Sequence, residues 1–81
     1  MHKKPLTLSA VSSSNLASVG YDPDTKTLAV QFKSGAVGHY SGVSAKEHAA
    51  LIAAPSVGGY FAAHIRPHKH HTNATDLYPK S

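Results

Sequence analysis

A chain of 81 residues with no cysteine and a formal net charge of +4 makes one small domain, and a domain near this size buries only about 60% of the surface its unfolded chain exposes. Disulfide support is excluded, so association with further copies is the expected supplement to a small core. No apolar run reaches the roughly 18 residues of a membrane span, and the basic start MHKKPLTLSAV lacks the apolar stretch of a secretory leader, so no membrane contact and a cytoplasmic location are expected.

Residues 1–10 read as a flexible lead-in, and VSSSN, 11–15, as a polar turn whose hydroxyls bond backbone groups. In LASVGYD, Val19 and Tyr21 alternate with Ser18 and Gly20, the period of a half-buried strand. DPDT, 22–25, has the chemistry of a type I turn. KTLAVQF then sets Leu28, Val30 and Phe32 on one face, KSG turns the chain at Gly35, and AVGHYSGV makes a third strand with Val37 and His39 facing opposite to Ala36 and Tyr40.

At SAKE the pattern changes to a capping box, with Ser44 as cap and Glu47 reaching back. The helix that follows has an apolar face of Ala49, Ile52 and Ala53, flanked by Leu51, and ends at Pro55. Ser56 caps a second helix, weakened at its start by Gly58 and Gly59 and closed by Pro67. Strands followed by helices predict an α+β fold: a three-stranded antiparallel sheet, then two short helices packed on one of its faces. The remainder, 67–81, has no period and reads as a polar His-rich tail that is mobile or orders only on a partner.

Charge narrows the partners. Lys26, Lys33 and Lys46 balance Asp22, Asp24 and Glu47, so the middle of the chain is neutral and the basic excess lies at its two ends. A protein that follows a long nucleic-acid backbone lines a face with cations, which disfavours an extended track.

The helix GYFAAHIRP is the best candidate site. At about 100° per residue, Tyr60, Phe61, His64 and Ile65 share one arc; Phe61 and Ile65 belong in the core, while Tyr60 and His64 lie at its margin. That margin is either a plain core edge or a binding surface, and Arg66 beside it offers a planar fork suited to phosphate or carboxylate. The histidines His68, His70 and His71 lack a second ligand pair with metal spacing, so neither a metal site nor a cofactor is expected. Among His39, His48, His64 and the many serines there is no nucleophile motif, Gly-rich phosphate loop or carboxylate pair, so the chain is not expected to be an enzyme.

The segments SSNLASVGYDPDTKTLAVQFKSG, YSGV and GYFAAHIR, over 11–66, resemble the KTSC domain, a short module found at the C-terminus of some lysyl-tRNA synthetases and as free-standing bacterial and phage proteins. The resemblance implies RNA binding and puts the family pattern on Ser13, Ser14, Asn15, Tyr40, Tyr60, Phe61, Ile65 and Arg66. One departure is visible: the central Tyr-x-Tyr of the family is Gly38, His39, Tyr40 here, and losing one stacking aromatic weakens the RNA reading.

Three functions remain open. The leading expectation is a non-enzymatic nucleotide-binding protein that sequesters a small cyclic or short oligonucleotide signal at the interface of a homo-oligomer, a sponge of the kind phages use against host defence, acting in the host cytoplasm if phage-encoded. Its candidate ligand-binding residues are Arg66, Tyr60, His64, Tyr40, His39, Ser13, Ser14 and Asn15. The alternatives are an RNA-binding module and a protein-protein interaction module.

Overall fold

A computed structural model describes residues 6–13 and 15–78. Five strands, β1 (Ser9–Ala10), β2 (Leu16–Asp22), β3 (Thr27–Phe32), β4 (Val37–Ser41) and β5 (His70–Asn73), form one sheet in chain order, and every neighbouring pair is antiparallel. Between β4 and β5 lie α1 (Ala45–Ala53) and α2 (Val57–Tyr60), the latter running directly into a π-helical turn, Phe61–Ile65; a 3-10 turn, Thr75–Leu77, follows β5.

The α+β class is as expected, but the sheet has five strands, not three. The lead-in contributes β1 and the His-rich segment contributes β5. Neither shows apolar alternation, because both are edge strands held by backbone pairing and by polar anchors. The Ala74 N–H donates to the Val37 carbonyl at 2.9 Å, the Val37 N–H donates to Thr75 Oγ1 at 3.0 Å, and Lys69 Nζ reaches the Gly42 carbonyl at 2.9 Å.

Each turn has a local cause. In the β2–β3 turn, Asp22 Oδ1 accepts from the Asp24 N–H at 2.9 Å, the self-bonding that makes Asp a turn residue. Gly35 closes the β3–β4 turn at φ +100°, a left-handed conformation that glycine adopts without steric cost. Register shifts by one residue between Leu16 and Ser18. That bulge turns both Leu16 and Val19 inward although three positions separate them, where a regular strand would send them to opposite faces.

One sheet face carries the core. Leu16, Val19, Leu28, Val30 and Tyr40 pack with Val43, Leu51, Val57, Phe61 and Ile65. The capping box forms as read: the Glu47 N–H donates to Ser44 Oγ at 3.1 Å and the Ser44 N–H to Glu47 Oε1 at 3.0 Å. The apolar face of α1 differs from the reading, since Leu51 is fully buried while Ala49, Ile52 and Ala53 are exposed. The helix is turned by the Tyr21–His48 ring stack, with centroids 4.5 Å apart and planes 10° from parallel. His48 lies three residues before Leu51, hence on the same side.

The opposite face is covered too, although nothing in the sequence reading anticipated it. Thr27, Ala29, Val37 and His39 are buried there. Thr7 passes so close to Gly20 that its carbonyl occupies the place of a Cβ. The Leu6 N–H donates to the Tyr78 hydroxyl at 2.8 Å, and that hydroxyl is 2.7 Å from His39 Nε2, so the two described ends of the chain meet over the sheet.

Candidate functional site

The site is assembled by the end of the β2–β3 hairpin and the end of the π turn. Because of the bulge, β3 runs past Phe32 with Lys33 opposite Asn15, and the Lys33 N–H donates to the Asn15 carbonyl at 3.0 Å. Ser13 Oγ accepts from the Asn15 and Leu16 N–H groups, each at 3.3 Å. The 11–15 segment is thereby folded back onto the strand start. On the other side, the Arg66 N–H donates to the Phe61 carbonyl at 2.9 Å, the i to i+5 bond of the π turn. The Phe61 ring meets Phe32 edge-on at 5.9 Å.

These elements enclose an open groove of about 400 Å³ lined by Asn15, Phe32, Lys33, Ser34 and Arg66. Its chemistry is plain from its lining: two cations from different elements, one partly buried aromatic ring, a carboxamide and a hydroxyl, with no carboxylate among the five. Such a set recognises an anion attached to a planar or polar body. The field of Arg66 extends inward to Tyr40. Burial holds that phenol above its ordinary pKa, while the Arg66 cation pulls in the other direction.

Of the residues singled out from sequence, Arg66 and Asn15 line the groove and Ser13 braces its wall. Ser14 lies outside the described residues. Tyr60 and His64 meet in a tilted ring contact, with centroids 4.5 Å and planes 35° apart; Tyr60 is half-buried against the core and His64 is exposed, and neither lines the groove. Tyr40 is a core residue, 4% exposed, edge-on to Phe61 at 5.1 Å, and so presents no open ring to a ligand. His39 lies on the opposite sheet face because successive strand residues alternate, and it is equally buried. The seven described candidates therefore do not form one cluster.

Phe32, Lys33 and Ser34 are groove residues that the sequence reading passed over. Lys33 and Ser34 read only as parts of a tight turn. The pairing of Lys33 with Asn15 depends on the one-residue bulge, which no local pattern announces. Among the described residues no group of three His, Asp or Glu side chains is placed to hold a metal ion, and no helix among them is long and apolar enough to cross a membrane. Lys69, counted with the basic end, is engaged by Glu47, 2.9 Å from its Oε2.

Three comparisons bear on this arrangement. The KTSC domain family matches residues 12–68. A protein of Stutzerimonas stutzeri (strain A1501), described as uncharacterized, is 41% identical over 58 residues, covering 72% of this chain and 82% of that one. The crystal structure of the KTSC domain protein YPO2434 from Yersinia pestis superposes with a TM-score of 0.81 at 32% identity, covering 85% of this chain and 97% of that one. The segment matched by the family, 12–68, contains both Asn15 and Arg66, and on that match, over more than half of its length, the chain belongs to the KTSC domain family.

Proposed function

We propose that this protein is a non-enzymatic binder of a phosphate-bearing nucleotide, held in the groove by Arg66 and Lys33. The observation that carries the reading is the convergence of these two cations, from different elements, on one open groove with Phe32, Asn15 and no acidic side chain. The Arg66 fork takes phosphate oxygens in pairs, Lys33 adds a point charge, and Asn15 and Ser34 supply donors and acceptors for a base or sugar edge.

A groove of about 400 Å³ suits one nucleotide unit better than a long strand. We therefore favour capture of a small cyclic or short oligonucleotide signal, with sequestration as the outcome and association between copies bringing one Arg66 to each phosphate. The test is a thermal-shift and calorimetry panel of cyclic dinucleotides, cyclic trinucleotides, mononucleotides and short RNAs. A ligand at 100 times its dissociation constant stabilises by about 2.7 kcal/mol. Stabilisation by the small ligands supports capture, a response confined to longer RNA replaces it with RNA binding, and no response to any of them rejects the nucleotide reading. Sedimentation with and without ligand tests the association.

A further inference from the structure

A second recess is larger than the groove and chemically its opposite. It has a volume of about 740 Å³ and opens between the β1–β2 edge and α1, with Ser9, Ala10, Ser12, Tyr21, His48 and Ile52 among its lining residues. Recesses of about 300 to 1,000 Å³ are the size class of small-molecule sites.

Three features define what this recess suits. No side chain in its lining carries a formal carboxylate, ammonium or guanidinium charge, so it has nothing to balance a phosphate. Its aromatic wall is the near-parallel Tyr21–His48 pair. That pair is held in place, because the Tyr21 hydroxyl donates to the Val43 carbonyl at 2.6 Å. Burial lowers the pKa of His48, which keeps the wall uncharged near neutrality. Finally, the lining mixes apolar and hydrogen-bonding residues: Ile52, a large apolar side chain that remains half exposed, lines the recess together with Ser9 and Ser12.

We infer that the recess between β1 and α1 is a second binding site, for an uncharged planar nitrogen heterocycle that packs against the Tyr21–His48 pair and Ile52 and hydrogen-bonds through its edge to the serine rim. The site is separate from the Arg66 groove, with which it shares no lining residue, and it does not depend on the function proposed for that groove. A heterocycle gains contact area from the aromatic wall, and its ring nitrogens and exocyclic groups satisfy hydroxyl groups that a hydrocarbon would leave unpaired. A phosphate on the same ring adds a charge that this lining cannot pair.

The experiment is a titration of the full chain with free adenine, followed by NMR of labelled methyl and aromatic groups. The shifts are expected at Ile52, Ala10, Tyr21 and His48, with the ring resonances of Phe32 unmoved. His48→Ala should weaken adenine by about tenfold, the scale of losing one aromatic partner of a base; because the Tyr21–His48 stack also orients α1, a second variant that leaves both rings in place is paired with it. Ile52→Lys, at a half-exposed position, should weaken it similarly by placing a charge in the wall. Arg66→Ala should leave adenine binding unchanged while impairing nucleotide phosphates, so the two sites are scored independently. Adenine that shifts no resonance at saturation, or that binds both recess variants as tightly as the parent, overturns the inference.

Discussion

His71 lies over Gly38: a Cβ at position 38 would come within 2.7 Å of the His71 Nε2 and 2.9 Å of its Cδ2. The same imidazole leans on Tyr40, with ring centroids 5.0 Å apart. His71 is the register partner of Tyr40, so it reaches Gly38 along the diagonal of the pair, a contact open to large side chains. A ring from the neighbouring strand thus lies over position 38, the place where the resemblance implies the first tyrosine of Tyr-x-Tyr. Gly38→Tyr alone should destabilise the fold by driving His71 outward, and His71→Ala should relieve it. Denaturant unfolding of the two single variants and the double should give a coupling within the roughly 0.5–3 kcal/mol typical of contacting residues; additive effects would show that the two positions are independent.

Arg66 is exposed and contributes no packing to the core. Arg66→Ala should therefore leave the melting temperature within a degree or two of the parent, by the small effect usual for surface changes. Loss of its charge-assisted bonds, worth about 1.5–3 kcal/mol, should lower nucleotide affinity by about tenfold or more in calorimetry. Lys33→Ala should lower it too, and Arg66→Lys should recover only part of the loss, since an ammonium keeps the charge without the fork. A drop in melting temperature with unchanged affinity would make Arg66 structural.

Gly58, the second residue of α2, has Ser13 pressed against it: an added Cβ would meet the Ser13 Oγ at 2.6 Å. Ser13 cannot withdraw freely, because its hydroxyl holds the Asn15 and Leu16 N–H groups. Gly58→Ala should cost about 1–3 kcal/mol, as overpacking does, despite alanine being the better helix former. Ser13→Gly should restore part of that stability in urea unfolding while loosening the Asn15 wall of the groove, which nucleotide affinity would register.

The pH dependence should centre on Glu47. The Ser44 N–H, and next the Lys69 side-chain hydrogen bond, hold its carboxyl below the ordinary value of 4.5. A carboxyl whose folded pKa is depressed stabilises the fold fully above its unfolded pKa and loses that contribution as pH falls through the lower folded value. Unfolding free energy should accordingly decline below about pH 4.5, and Glu47→Gln should be less stable than the parent at neutral pH yet decline less on acidification. Parallel acid curves for the two proteins would contradict this assignment.

The parts of the fold that were legible from sequence are those in which side chains advertise their own structure. Val19, Tyr21, Leu28 and Val30 declare a hairpin by alternation, Asp22 and Gly35 mark its turns, and Ser44 with Glu47 announces α1. What stayed hidden depends on partners remote in sequence. His70–Asn73 is a strand because the β4 backbone offers it a ladder, and polar residues carry no signal of that. Ile52 reads as core by composition, yet α1 buries Leu51 in its place because Tyr21 captures His48. In the candidate groove, Arg66 was identifiable from its chemistry and its neighbours, whereas Lys33 joins the lining only after the bulge has placed it opposite Asn15. Tyr40 and His39 look alike in a motif and are divided by the sheet itself.

The hydrogen bond between Leu6 and Tyr78 spans 72 positions of the chain. Closing so long a loop carries an entropic cost that grows with the logarithm of its length, so this clasp is suited to forming late, after the hairpins and helices have docked. It also makes the described ends neighbours in space, leaving a short gap for a linker to bridge. Joining them and reopening the chain in the exposed turn at Pro23–Thr25 would produce a circular permutant in which the hairpin supplying Asn15 and Lys33 is assembled from opposite ends of the polypeptide. In such a protein the Asn15–Lys33 wall of the groove would form only once the distant segments had paired, converting a hairpin contact of the unpermuted chain into a reporter of its complete folding.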